Sequence, residues 1–230
     1  KERKILKPIM NSPEQLDLPL KNIIRKSQNI DMPSQSIFFL HGFGSNMQDL
    51  YGLSPFFDGN WNCISLQASI SVQFEGWAWA ELDFENIRKL PKPEQMMIHE
   101  QKLVETIDTC IEKLNLDPER INLLGFSQGA ALSIYSGLKN PDKFNSIVAL
   151  SGFFPVKERL GDIKVDAVKR VEFFIGHGKL DPVVPLHLAQ DTKKELLNLG
   201  AKCNYNEYDA EHTIHNDCLN DVLEWLWERN

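Results

Sequence analysis

The residues best suited to covalent chemistry lie in the pentapeptide Gly-Phe-Ser-Gln-Gly at 125–129. A serine hydroxyl becomes an effective nucleophile when a neighbouring base removes its proton. Ser127 follows the apolar run 121–126 and precedes a stretch rich in small residues, a pattern typical of a sharp turn between a buried strand and a helix. Gly125 and Gly129 lack the β-carbons that would clash in such a turn. The alternative interpretation is a serine that caps the helix between closely packed glycines.

A nucleophilic serine needs a base, and the base needs an acid that orients it. Asp181 follows the apolar run 171–176, and His212 follows the strand-like run 202–208. Both lie past the end of a predicted strand, where open sheets of parallel strands place their sites. The order serine, acid, histidine along the chain is one of the known orders of such triads. We therefore predict Ser127, Asp181 and His212 as catalytic residues.

Competing acids and bases have simpler interpretations. His215 precedes Asp217 where the last helix is predicted to begin, so we expect it to cap that helix. Asp209 is so close to His212 in sequence that its carboxylate would struggle to reach the correct side of the imidazole. A metal site made of His212, His215 and Asp217 would rest on one short cluster, and we expect no metal. The remaining histidines are expected to form structural, loop or helix-surface contacts: His41, His99, His177 and His187.

Acyl transfer also requires hydrogen-bond donors for the oxyanion of the tetrahedral intermediate. The backbone N–H of Gln128, directly after the serine, is one predicted donor. The second is predicted at Phe43, in the glycine-rich turn His-Gly-Phe-Gly at 41–44 that follows the apolar run 36–40. Alone, this tetrapeptide is also compatible with an ordinary turn.

Large aromatic residues are candidates for an apolar acyl-binding groove. Three of them lie in the segment 67–95, which has no clear strand or helix period, and two follow the strand-like run 146–150. For each of them, packing in the core is an equally good interpretation. The predicted substrate-binding residues are Phe74, Trp77, Trp79, Phe153 and Phe154.

Strand-like and helical segments alternate along the chain, which predicts a mostly parallel sheet with helices on both faces and an α/β fold. The predicted strands are 36–40, 62–66, 121–126, 146–150, 171–176 and 202–208. Apolar residues at helical spacing predict helices at 97–116, 186–199 and about 219–226. The chain, 1–230, is expected to form a single domain, with an N-terminal arm or edge hairpin in 1–35 and an irregular aromatic loop at 67–95.

Composition and cysteine spacing limit the partners and the cellular location that we expect. The formal net charge of −7 argues against nucleic acid and anionic membrane as main partners, because like charges repel. No stretch approaches the roughly 18 apolar residues that a membrane-spanning helix needs. The four cysteines show no Cys-x-x-Cys spacing, which favours a reduced, cytoplasmic chain.

Several of these motifs together resemble the phospholipase/carboxylesterase family of α/β hydrolases, which includes acyl-protein thioesterases and small bacterial carboxylesterases. The resemblance rests on FLHGFGSN, GFSQGAALS, SGFFP, GHGKLDPVVP and EHTIH, and covers about 36–228. It implies a serine hydrolase without a cofactor that cleaves small or lipid-like acyl esters or thioesters, and it leaves a homodimer open. It assigns the triad to Ser127, Asp181 and His212, and the oxyanion donors to Phe43 and Gln128.

Two departures from the family pattern affect this expectation. LQASISV at 66–72 replaces a common Ala-Pro turn, and Glu211 replaces the glycine often found before the last histidine. A carboxylate at Glu211 would raise the pKa of His212 if it faced the ring, and would have no effect if it faced water. The alternative function is a non-catalytic module of the same fold that binds a hydrophobic ligand or partner.

Overall fold

A computed structural model of the chain describes residues 13–29, 31–72, 76–81, 93–154 and 165–229. Its main feature is a seven-stranded sheet with the strand order β1-β3-β2-β6-β7-β8-β9. The strands are β1 (Asn22–Arg25), β2 (Ser34–Leu40), β3 (Asn62–Leu66), β6 (Leu116–Phe126), β7 (Ser146–Leu150), β8 (Glu172–Gly178) and β9 (Lys202–Tyr208). All neighbouring strands are parallel except β1, which runs antiparallel to β3 at one edge.

Alternate residues of the central strands point to two separate apolar clusters, one on each face of the sheet. On β2, Phe38 packs in one cluster and Phe39 in the other. The first cluster contains Leu103, Ile134 and Leu196, from helices α2 (Pro93–Leu114), α3 (Gln128–Lys139) and α5 (Leu186–Asn198). The second contains buried residues of helices α1 (Met47–Tyr51) and α6 (Asn216–Trp227). Because both faces are covered, these strands read as continuous apolar runs, and the predicted α/β architecture is confirmed.

Helices connect most of the parallel strands. They are α1 (Met47–Tyr51), α2 (Pro93–Leu114), α3 (Gln128–Lys139), α4 (Val165–Val168), α5 (Leu186–Asn198) and α6 (Asn216–Trp227). Helix α5 ends just before Gly200, which has a φ of +79° and so occupies the left-handed region that favours glycine at a helix end.

The segment predicted to be irregular, 67–95, contains regular structure that its sequence does not reveal. Strands β4 (Ile70–Val72) and β5 (Gly76–Ala78) form a two-stranded antiparallel hairpin, and α2 begins at Pro93. Strands of three residues are too short for a readable hydrophobic period. The hairpin contacts the turn after β2 through a bridge between Ser45 and Trp77.

Candidate active site

Ser127 lies on a sharp turn between β6 and α3. Its backbone has a φ of +54° and a ψ of −115°, a conformation that non-glycine residues rarely adopt. Its N–H donates to the carbonyl of Leu150 at the end of β7, at 2.8 Å. This strained turn places the serine hydroxyl at the C-terminal edge of the sheet, the geometry called a nucleophile elbow.

The two flanking glycines allow this turn to pack. A β-carbon on Gly125 would lie 2.2 Å from the carbonyl oxygen of Gly129, and one on Gly129 would lie 2.0 Å from the carbonyl oxygen of Leu40. Both distances are far below van der Waals contact, so any side chain would force backbone atoms apart. The absence of side chains therefore brings the start of α3 against the end of β2.

The structure brings the three predicted catalytic side chains into one hydrogen-bonded chain. His212 Nε2 lies 3.0 Å from Ser127 Oγ, and His212 Nδ1 lies 2.6 Å from Asp181 Oδ2. Asp181 is buried, and its Oδ1 accepts hydrogen bonds from the backbone N–H groups of Val183 and Val184 at 2.9 and 2.8 Å. An ionised carboxylate only accepts hydrogen bonds, so Nδ1 carries the imidazole proton and Nε2 can accept the serine proton.

The loops that carry Asp181 and His212 are joined beyond the ends of their strands. Lys179 N–H donates to the Tyr208 carbonyl at 2.8 Å, and Leu180 N–H donates to the Ala210 carbonyl at 3.0 Å. A β-carbon on Gly178 would lie 2.4 Å from the Ala210 carbonyl oxygen, so a glycine permits this approach. These contacts fix the acid and the base relative to each other.

The other candidates for the base and the acid lie outside this hydrogen-bonded chain. His215 is the N-cap of α6, where its Nδ1 accepts a hydrogen bond from the N–H of Asp217 at 3.2 Å. Asp209 is exposed and pairs with Lys179 at 2.9 Å. Glu211 is also exposed and faces solvent. Over the described parts of the chain, no three His, Cys, Asp or Glu side chains are grouped so as to hold a metal ion.

The turn at 41–44 lies against the nucleophile. A β-carbon on Gly42 would lie 3.5 Å from the β-carbon of Ser127, which places Phe43 directly beside the elbow. Gln128 is the first residue of α3, where backbone N–H groups have no acceptor within the helix. The two predicted donor residues therefore flank Ser127 from β2 and from α3.

Of the five predicted substrate-binding residues, Trp79 needs correction. Its side chain is 0% exposed and packs in the core, so it does not line an open groove. Trp77, Phe153 and Phe154 are half-buried at the margin of the same cluster. Phe74 lies outside the described residues.

Phe126 is a neighbour of the site that the sequence argument missed. Its ring centroid lies 4.9 Å from that of His212, and a β-carbon on Gly42 would lie 3.2 Å from its ring. Its position directly before the serine could have identified it as a residue of the site. A turn this sharp brings residues 126 and 127 to the same edge of the sheet.

Buried histidines surround the site in the neutral form. Burial lowers the pKa of His41, His99 and His177 from the ordinary value of 6.5. His177 is the nearest to the triad, because its Nε2–H donates to the Val184 carbonyl at 2.8 Å and lies 3.6 Å from Asp181 Oδ2. It thus closes the turn whose amides bind the acid.

The lowered pKa values of these histidines predict that the folded state loses stability in mild acid. Below about pH 6.5 the unfolded chain binds protons that the folded chain resists, so the free energy of unfolding falls as the pH decreases. We expect His99→Gln to reduce this dependence below about pH 6.5, measured by urea denaturation. His187→Gln, an exposed position on α5, is the control. Equal pH dependence in wild type and His99→Gln would contradict the prediction.

Comparisons with known proteins agree with this architecture. A sequence profile of the phospholipase/carboxylesterase family matches residues 22–229. Acyl-protein thioesterase 1 of Saccharomyces cerevisiae is 31% identical over 218 residues, covering 89% of this chain and 95% of that protein. The corresponding protein of Kluyveromyces lactis is 37% identical over 131 residues, 55% of this chain, and in that match the chain spans 53% of the relative's length.

Solved structures show the same fold. The crystal structure of esterase PE8 is 25% identical, with a TM-score of 0.80 over 90% of this chain and 97% of that chain. The Bacillus cereus carboxylesterase is 18% identical, with a TM-score of 0.77 over 92% of this chain and 95% of that chain. With the family profile matched over most of its length, this chain belongs to the phospholipase/carboxylesterase family of α/β hydrolases.

Proposed function

We propose that this protein is a serine hydrolase that cleaves carboxylic esters or thioesters through an acyl intermediate on Ser127. The observation that carries the proposal is the continuous hydrogen-bonded chain from Ser127 Oγ through His212 to Asp181, at 3.0 and 2.6 Å. Family membership supports the same reaction class.

In the proposed reaction, Ser127 and His212 account for each proton transfer. Ser127 Oγ bonds to the acyl carbon while its proton passes to His212 Nε2, and the carbonyl electrons move to the oxygen. As the tetrahedral intermediate collapses, the bond to the leaving oxygen or sulfur breaks, and His212 protonates the alcohol or thiol. Water then repeats the sequence, with His212 as base, and releases the carboxylic acid and free Ser127.

The developing oxyanion needs donors beside Ser127, and we assign them to the backbone N–H groups of Phe43 and Gln128. The N-terminus of α3 adds a positive partial charge at the same place. Phe43 lies in the turn after β2 and Gln128 lies at the start of α3, so we expect both donors to be beside Ser127 before substrate binds.

The substrate class in this proposal is a small or lipid-like acyl ester or thioester. Two similar proteins are named acyl-protein thioesterases, which favours a thioester with an apolar acyl chain. Trp77, Phe153 and Phe154 are assigned to the acyl site, because half-buried aromatic side chains can close over an acyl chain.

The cellular context is also a proposal. No helix within the described ranges is long and apolar enough to cross a membrane. We propose a cytoplasmic location, because Cys63, Cys110, Cys203 and Cys218 are all free thiols. Cell fractionation would test this location. The homodimer stays a prediction that light scattering of the purified protein would check.

The proposed activity predicts that a fluorophosphonate probe labels Ser127, with the adduct mapped by peptide mass spectrometry. We further expect turnover of p-nitrophenyl esters and of matched thioesters, with rates compared over several acyl lengths. Heat-unfolded protein is the control, because an unassembled triad does not activate the serine. Absence of both labelling and turnover would contradict the proposal and favour a non-catalytic binding module.

A further inference from the structure

Trp79 is fully buried, yet it forms more specific contacts than packing requires. It lies just after β5, between the turn at 41–44 and the start of α3. Its indole ring and its backbone each donate a hydrogen bond, and the two bonds go to different sides of the candidate active site.

The first bond holds the turn after β2. Trp79 Nε1–H donates to the carbonyl oxygen of His41 at 2.8 Å, and the two rings lie 5.2 Å apart. His41 is itself fixed at both nitrogens. Its Nε2 accepts from the N–H of Ala68 at 3.2 Å, so Nδ1 carries the proton and donates to the Gly42 carbonyl at 2.7 Å. The indole therefore fixes the residue from which the turn carrying Phe43 departs.

The second bond holds the residue after the nucleophile. Trp79 N–H donates to Gln128 Oε1 at 2.8 Å, and Gln128 Nε2 donates to the Ala80 carbonyl at 2.6 Å. The amide of Gln128 thus uses both its acceptor and its donor on the chain at 79–80, with only 2% of the residue exposed. We call this set of three hydrogen bonds, joining His41, Trp79, Ala80 and Gln128, the Trp79 bridge.

We propose that Trp79 is a positioning residue that sets the separation of the two oxyanion donors, Phe43 and Gln128. This inference rests on the proposed function and adds a residue that touches no substrate. The turn at 41–44 and the start of α3 belong to different elements, and Trp79 is hydrogen-bonded to both of them. Backbone bonds from Gly44 to Trp77 and from Trp77 to Ser45 hold only the far end of the turn.

Loss of the Trp79 bridge should destabilise the transition state and leave substrate binding unchanged. Donors aimed at an oxyanion act only after charge develops there, so their displacement lowers kcat with KM unchanged. Complete loss of one donor costs about 10² to 10³ in kcat. A displaced donor retains part of its effect, so we expect a decrease of about 10-fold.

The test compares Trp79→Phe with Trp225→Phe. The first removes the indole N–H that donates to His41, and the second is matched because Trp225 is also buried while its Nε1 forms no hydrogen bond to the described residues. We expect kcat on a p-nitrophenyl ester to fall about 10-fold in Trp79→Phe alone, with KM within about twofold. Affinity for a trifluoromethyl ketone, whose adduct with Ser127 carries an oxyanion, should fall in parallel, and affinity for the matching methyl ketone should not.

A second variant removes the hydrogen bonds that Gln128 contributes to the Trp79 bridge. Gln128→Met keeps the backbone N–H and the side-chain length, and removes both side-chain hydrogen bonds. We expect the same loss of kcat, and a double variant with Trp79→Phe that is less than additive, because both act through one bridge. The Met variant alone also decides the question if Trp79→Phe fails to fold.

Two results would overturn the inference. If either bridge variant folds and keeps the kcat and the ketone affinity of Trp225→Phe, the bridge does not position the donors, while the proposed function stands. If wild type and Trp225→Phe both lack turnover, the proposed function fails, and the inference fails with it.

Discussion

Replacing Ser127 with alanine is expected to lower kcat/KM for p-nitrophenyl esters by more than about 10³-fold and to abolish fluorophosphonate labelling. The change removes the hydroxyl oxygen that carries the acyl group in the proposed reaction. The fold should persist, because the backbone N–H of residue 127 still donates to the Leu150 carbonyl, and the hydrogen bond lost with the hydroxyl is the one to His212. Circular dichroism and thermal unfolding would check this.

Ser133→Ala is the matched control for this experiment. Ser133 is a buried serine of α3, the helix that follows Ser127, and its Oγ donates to the Gly129 carbonyl at 2.9 Å. We expect its activity to stay within about twofold of wild type, since an intrahelical serine bond contributes little. If Ser127→Ala kept a tenth of wild-type turnover, the nucleophile would have to be another group.

The second large effect is expected for Asp181→Asn, which should lower kcat by about 10³- to 10⁴-fold. The backbone amides of Val183 and Val184 would bind the carbonyl oxygen of the new side chain, which turns its NH₂ group toward His212 Nδ1. A donor at that position forces the proton of the imidazole onto Nε2, the atom that must accept the serine proton. Steady-state kinetics with a thermal unfolding scan would measure the loss in a folded protein.

Asp209→Asn provides the comparison for the acid. Asp209 lies in the neighbouring loop and pairs with Lys179 at the surface, so its loss should change activity by no more than about twofold. Near wild-type activity in Asp181→Asn would contradict the assignment and move the role of the acid to a different carboxylate.

The order of segments along the chain was sufficient to select residues that the structure brings together. Asp181 and His212 are 54 and 85 residues from Ser127 in sequence, yet each follows a strand of one parallel sheet, and the ends of these strands share an edge. Strand identity could be read because burial on both faces leaves continuous apolar runs. Register and strand order did not have to be known.

Trp79 shows why the residues that line the pocket could not be predicted from sequence in the same way. A tryptophan in a groove and a tryptophan in the core have the same sequence signature, and only the three-dimensional partners distinguish them. Those partners, His41 and Gln128, are 38 and 49 residues away. The start of β6 was missed because the exposed residues Pro118, Glu119 and Arg120 interrupt the apolar pattern of a strand that begins at Leu116.

The positions of Ser127, Asp181 and His212 in the sheet have a consequence for partial unfolding. Ser127 follows a central strand, whereas His212 follows β9, the half-exposed strand at the edge of the sheet. Edge elements open at lower free energy than central ones. Detachment of β9 and α6 would remove the base while the nucleophile stays in its elbow, so catalytic activity reports on the integrity of this edge and disappears before the rest of the fold.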